Sequence, residues 1–225
     1  MRRKGMRGVS WVLCVALGLG TAGPAWAAEA DADDLGRYPL DALNRNVPRG
    51  EPLPCREIEL VTYRGEQIRY ARPVQVHPAF RERLRAFETL VAETAVEHYG
   101  RAPQKILHLG ALNCRRIRLY PDWVSEHALG NALDVAGFAF AALPRKAALH
   151  AGLPRALRGR FEVKLEPHWD ATRGAGAVHS AFLRDLARRL IARTDIFRAV
   201  LGPAWPGHKN HFHLDCAPYR MTEVF

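Results

Sequence analysis

Two short segments concentrate side chains that bind metals and move protons. One runs from Ser125 to Asp134 and contains Glu126, His127, Gly130, Asn131 and Ala132; the other is His208-Lys209-Asn210-His211-Phe212-His213-Leu214-Asp215. His127 and Asp134 are seven residues apart, which on a straight helix separates them by ~10 Å along the axis at ~1.5 Å per residue. Two ligands of one zinc ion must each bring a donor atom within ~2.0–2.2 Å of it. A shared metal therefore requires the chain to turn between them. Gly130-Asn131 supplies the turn, and the small Ala132 lets the following backbone pack closely. On an extended segment His211 and His213 leave one face, and Phe212, Leu214 and Cys216 leave the other. Two histidines and a carboxylate, with a fourth position left for water, make a hydrolytic zinc site. Strand spacing alone does not choose between His211 and His213 as the second histidine ligand.

These groups need a scaffold, and the hydrophobic pattern outlines one. Phe80, Leu84, Phe87, Val91 and Ala95 recur at helical spacing ahead of Gly100, predicting an amphipathic helix over 79–99. Leu133 to Phe140 is apolar except for Asp134, the pattern of a buried strand carrying one carboxylate. Residues 106–109 and 116–119 read as short strands, 161–165 as a half-buried strand, and 58–60 with 67–70 as a β-hairpin. Residues 40–43 suggest a short helix, residues 143–160 an inserted basic loop, and Ser180 the cap of a second helix with Phe182, Leu186, Leu190 and Phe197 on its inner face. Strands and helices mix without βαβ alternation. The expected fold is a single α+β domain, a mainly antiparallel sheet with flanking helices and the zinc site on the sheet.

The chain has 225 residues, 48% hydrophobic and 25% charged, which excludes disorder and collagen. No apolar run reaches the ~18 residues that cross a bilayer, which excludes a multi-pass membrane protein and leaves no stable membrane anchor. Arg2, Arg3, Lys4 and Arg7, the apolar run Val9–Gly20 and Ala25-Trp26-Ala27 read as a secretory signal over 1–27, implying export to the periplasm or medium. Residues 28–54 read as an acidic lead-in and 55–225 as the domain. Loss of the signal removes four of 33 cations and no acid, lowering the net charge from +10 to +6. Such a charge suits anionic envelope polymers. The arginines are scattered without interleaved aromatics, so nucleic acid is not an expected partner. Of the cysteines outside the signal, the parity of the last strand buries Cys216, leaving Cys55–Cys114 as the expected disulfide.

The first segment, Ser-x-His-x-x-Gly-x-Ala-x-Asp, with the downstream His-x-His, resembles the signature of the lysostaphin, D-alanyl-D-alanine peptidase and hedgehog superfamily of zinc proteins. More closely, Asn113-Cys114-Arg115, Ser125-Glu126-His127, Gly130-Asn131-Ala132 and Leu201-Gly202-Pro203 ahead of the His208–Asp215 segment resemble bacterial proteins of the extensin-like C-terminal family. The His-x-x-His-x-His spacing is also similar to that of penicillin-insensitive murein endopeptidases. The resemblance implies zinc ligands at His127, Asp134 and His213, a catalytic role for His211 with His208 behind it, and a substrate-facing Arg115 with Arg116 as rival. Ser125 matches a family serine and equally suits a turn or capping hydroxyl. The implied activity is that of a zinc-dependent murein peptidase cutting peptidoglycan stem peptides or cross-links.

One position departs from several relatives, which place a glutamate base three residues before the last zinc histidine. Here it is Asn210, which cannot accept a proton. Either a histidine takes over the proton transfer, or the domain is a non-catalytic, zinc-stabilised envelope-binding module. Asp215, on the far side of His213, suits a carboxylate that orients a ligand. Trp123, Trp169 and Trp205 lie near the motifs and suit either a groove wall or the core.

Overall fold

The computed structural model describes residues 37–225; the segment read as a secretory signal and the first part of the segment read as a lead-in lie outside the described residues. Its longest helix, α1 (Pro78–Tyr99), forms where the sequence pattern places it. His77 stays extended and its Nδ1 accepts the Ala79 N–H, Pro78 fills the first helical position, and Gly100 closes the helix in the left-handed region. Phe80, Leu84, Phe87, Val91 and Ala95 are fully buried, as their spacing requires. Helix α3 (Gly174–Ala192) packs against α1 and buries Phe182, Leu186 and Leu190.

The main sheet contains β2 (Arg69–Tyr70), β4 (Lys105–Gly110), β5 (Ala132–Phe140), β8 (Phe212–Asp215), β7 (Ala199–Leu201) and β9 (Met221–Glu223) in that spatial order, with β6 (Phe161–Lys164) also on β5. Strands β1 (Val61–Tyr63) and β3 (Val74–Val76) form a separate antiparallel pair. Only the β2–β4 and β7–β9 pairings are parallel among the described strands. The α+β class with a mainly antiparallel sheet and flanking helices is therefore the observed one. Strand β5 is its hub. One edge pairs with β4, while on the other the first half of the strand pairs with β8 and the second half with β6. Among the described residues no helix is long and apolar enough to cross a membrane.

Several local expectations are corrected. The 58–60/67–70 hairpin does not form, because β1 pairs with β3 and β2 runs parallel to β4. The segment between them is shaped by α1 instead. The buried Glu88 carboxylate accepts the N–H groups of Glu66, Gln67 and Ile68 and the Tyr63 hydroxyl, so a distant side chain replaces the hairpin ladder. Residues 116–119 are a loop with a single bridge, Arg116 to Val124. Helix α3 begins six residues before Ser180, whose hydroxyl donates to the Trp169 carbonyl, and Phe197 is buried beyond the helix end. Residues 40–43 form a turn, closed by N–H bonds from Asp41 to Tyr38 O and from Leu43 to Leu40 O. Val163 is buried on β6 as its alternation requires, and Leu165 opens a short helix, α2 (Leu165–His168). Residues 37–54 pack onto the rest: Tyr38 and Leu40 are in the core and Asp41 pairs with Arg198.

The core between the helices also holds His179, on α3. Its Nδ1 accepts the Tyr99 hydroxyl at 3.0 Å, its ring stacks on Phe161, and His168 meets it edge-on. Burial, with the nearby His168, pushes its pKa from near 6.5 down to about 4. The unfolded chain therefore takes up a proton in this window that the native state refuses. The stability that a neutral His179 contributes is complete above pH 6.5 and is lost as pH falls towards 4. The shift corresponds to roughly 3 kcal/mol. Denaturant melts at pH 7.5 and 4.5 should show a smaller acid loss for His179→Gln than for the wild type. Equal losses would remove His179 as a source of acid sensitivity.

Candidate metal centre

The register of β5 and β8 builds two-thirds of the site. Asp134 is paired directly with His213, so both side chains leave one face of the sheet. The neighbouring pairs Leu133–Leu214 and Val135–Phe212 leave the other face and are fully buried. The third residue, His127, comes from a 3-10 turn, Glu126–Leu129, that precedes β5. Gly130 ends the turn at φ 61°, and a Cβ there would lie 2.9 Å from the His77 nitrogen and 2.6 Å from Leu60. Only glycine permits both that conformation and that approach. The Gly130 carbonyl accepts the His77 N–H, tying the turn to the cap of α1.

A buried polar network holds the turn from behind. Arg45 Nε donates to Glu126 at 2.6 Å, Asn131 Nδ2 donates to the same carboxylate at 2.5 Å, and the Tyr38 hydroxyl donates to Asn131 Oδ1 at 2.6 Å. Both members of the Arg45–Glu126 pair are almost fully buried. Removing one would strand the other's charge away from water. The sequence reading did not find this pair; its one local signal is a carboxylate beside the first histidine.

His127 Nε2, Asp134 Oδ1 and His213 Nδ1 form a triangle with edges of 3.0, 3.1 and 3.2 Å. This group could hold a metal ion. Donors ~2.0–2.1 Å from a tetrahedral centre are separated by ~3.3–3.4 Å, so these edges lie close to the spacing such an ion sets. Each imidazole also has its other nitrogen engaged. His127 Nδ1 donates to Ala111 O at 2.7 Å, and His213 Nε2 donates to Asp215 Oδ2 at 2.7 Å. Those bonds fix the ring orientations and, in the neutral rings that a metal ion would bind, leave the lone pairs on the two facing nitrogens. Asp215 thus takes the orienting position, and its Oδ1 accepts the Ala217 N–H. Burial opposes charge on Asp134, but the two imidazoles outweigh it and hold the carboxyl well below the usual range. Burial likewise opposes a proton on His213, yet Asp134 and Asp215 raise its pKa to about 10. The two carboxylates thus stabilise positive charge placed beside them.

Asp134 and His213 open into a cleft of about 420 Å³. His211 stands at its edge with Nε2 3.6 Å from Asp134 Oδ1. Its Nδ1 donates to Asn210 Oδ1 at 2.8 Å, so the residue in the glutamate's place orients His211. Burial pushes the His211 pKa down to about 4. The His208 ring lies 4.6 Å from that of His211; its Nδ1 donates to Pro206 O, and burial lowers its pKa too. Arg115 lines the cleft and is exposed, whereas Arg116 is spent on the backbone carbonyls of Val47, Pro48, Glu51 and Pro121. Ser125 also lines the cleft and makes no side-chain cap to the turn. Among the tryptophans, Trp205 is in the cleft wall and Trp169 is in the core. Cys55 and Cys114 form the disulfide beside Arg115, and Cys216 is a buried free thiol donating to Ile196 O.

Residues 41–224 match the family model described as the extensin-like protein C-terminus. The chain belongs to that family. The matched stretch begins at Asp41, inside the segment read as a lead-in, and takes in every element of the sheet and all residues of the triad. No curated protein and no solved structure matches the chain. The extensin-like domain is thus an α+β domain with a His127–Asp134–His213 group able to hold a metal ion on one face of its sheet.

Proposed function

We propose that this extensin-like domain is an exported zinc metallopeptidase that cleaves peptidoglycan stem peptides or their cross-links, of D,D-endopeptidase or carboxypeptidase type, within the lysostaphin, D-alanyl-D-alanine peptidase and hedgehog superfamily. The observation that carries the reading is a three-donor group with a further histidine, His211, outside it and 3.6 Å from Asp134, lining the same cleft. Zinc bound there supplies Lewis-acid activation of water and of the scissile carbonyl.

The chain's own residues supply the rest. Ala111 O and Asp215 orient His127 and His213. Asn210 holds the Nδ1–H of His211, which leaves the Nε2 lone pair directed towards the site to take a proton and return it to the leaving nitrogen. His208 packs against His211 and is the second candidate for that role. Arg115, on the cleft wall, faces the substrate. Mass spectrometry of muropeptides incubated with zinc-loaded protein tests the reading and identifies the bond. Shortened stem peptides or separated cross-links are the expected products.

A second reading rests on Asn210, which removes the carboxylate base used by several relatives. The domain would then be a zinc-stabilised module that binds envelope peptides without cutting them. Unaltered muropeptides that co-sediment with the protein would favour it.

A further inference from the structure

One wall of the cleft is a loop of which the proposed chemistry uses only Arg115. It runs from Arg115 to Tyr120 and is fastened on all sides. The Cys55–Cys114 disulfide holds its start, and the Arg116 guanidinium binds four carbonyls. Its base is closed by the N–H of Ile117 to Trp123 O, of Tyr120 to Ile117 O and of Trp123 to Tyr120 O. A loop held this way presents fixed side chains.

What it presents is unusual for a free surface. Leu119 is 60% and Tyr120 57% exposed. Arg118, on the cleft wall between them and Arg115, makes no hydrogen bond or ion pair with any described residue, and Arg115 has only a 3.4 Å bond to the neighbouring carbonyl of Arg116. The carboxylates that share the cleft are already engaged. Glu126 is bound by Arg45 and Asn131, Asp134 by His127 and His213, and Asp215 by His213 and the Ala217 N–H. Arg115 and Arg118 are therefore the cations of the cleft wall without a carboxylate partner among the described residues, and they lie beside a rigid apolar ledge. That combination fits a ligand with a carboxylate on an aliphatic frame.

We propose that Arg118, with Leu119 and Tyr120, forms a subsite that binds a carboxylate-bearing residue of the peptide, in the same cleft as Arg115 and the metal-binding group. This deepens the peptidase reading and rests on it for the choice of a peptide as ligand. The carboxylate is either the free C-terminus of the peptide or a side-chain carboxylate within it, and both offer the same two oxygens to a guanidinium.

The test is calorimetric titration of the zinc-free protein with a synthetic L-Ala-D-isoglutaminyl-diaminopimelyl-D-Ala-D-Ala pentapeptide, whose two carboxylates are the C-terminus and the diaminopimelyl side chain, its C-terminal amide, and a form amidated on the diaminopimelyl side chain. One of the two amides should bind the wild type at least ~10-fold more weakly, the loss of one charge-assisted interaction; which one identifies the source. Arg118→Ala should weaken the parent peptide by a similar factor and bind parent and that amide equally. Arg118→Lys should restore part of the discrimination. Arg118 is exposed, so a far-ultraviolet dichroism spectrum should show all variants folded. The subsite is overturned if the wild type binds all three peptides alike, or if folded Arg118→Ala still discriminates as the wild type does. A peptide that binds through Arg118 yet is never cut by zinc-loaded protein would overturn the peptidase reading and leave the subsite standing.

Discussion

Alanine at His127 or His213 should leave the protein without stoichiometric zinc, while the wild type retains about one ion per chain. Each histidine supplies one corner of a donor triangle whose edges are 3.0–3.2 Å, and two remaining donors do not make a structural or catalytic zinc set. Asp134→Ala should weaken binding strongly as well, because it removes the only anionic donor and leaves two imidazoles facing each other at 3.1 Å. Asp215→Asn should have a smaller effect, about 10–100-fold in affinity, since it loosens the orientation of His213 and removes no donor. Metal analysis after dialysis against a weak chelator reads all four variants. Full occupancy in the three donor variants would show that zinc binds elsewhere.

His211→Ala should keep its zinc and lose at least ~10²-fold in turnover, the low end for general acid–base catalysis. The nitrogen that faces the site is 3.6 Å from Asp134 Oδ1, outside the donor triangle, so its loss does not dismantle the metal group. Asn210→Ala frees the His211 Nδ1–H, so it should lower turnover while retaining zinc, by less than His211→Ala does. Turnover of a muropeptide by zinc-loaded His211→Ala at the wild-type rate would pass the proton-transfer role to His208.

The parts of the fold that were legible in the sequence are those where side-chain periodicity and burial agree. Helix α1 writes its buried face at helical spacing and ends on a glycine, and β8 alternates Phe212 and Leu214 inward with His213 outward. The turn between His127 and Asp134 followed from metal geometry alone, because no straight helix brings those two donors together. What was not legible depends on partners far away in the chain. The failed hairpin had the right composition, but Glu88 takes three successive amide groups out of any ladder. Residues 116–119 alternate as a strand does, yet Leu119 is turned outward and the backbone is claimed by Arg116 and the bridge to Val124. At the site, the carbonyl of Ala111 carries no sequence signal, and Arg45 lies 81 residues from the glutamate it neutralises. The resemblance chose His213 over His211 as a ligand candidate where strand parity could not, and the structure brings His213 Nδ1 into the donor triangle.

The disulfide also acts on the chain before it folds. It joins residues 59 apart, and closing a loop of that length removes roughly 4 kcal/mol of conformational entropy from the unfolded ensemble. Its effect reaches both parts of the candidate site. The arginine-bearing loop begins one residue after Cys114, and Asn113, on the other side, donates its N–H to the carbonyl of His127. One covalent link thus shortens the conformational search that brings the cleft wall and the first donor together.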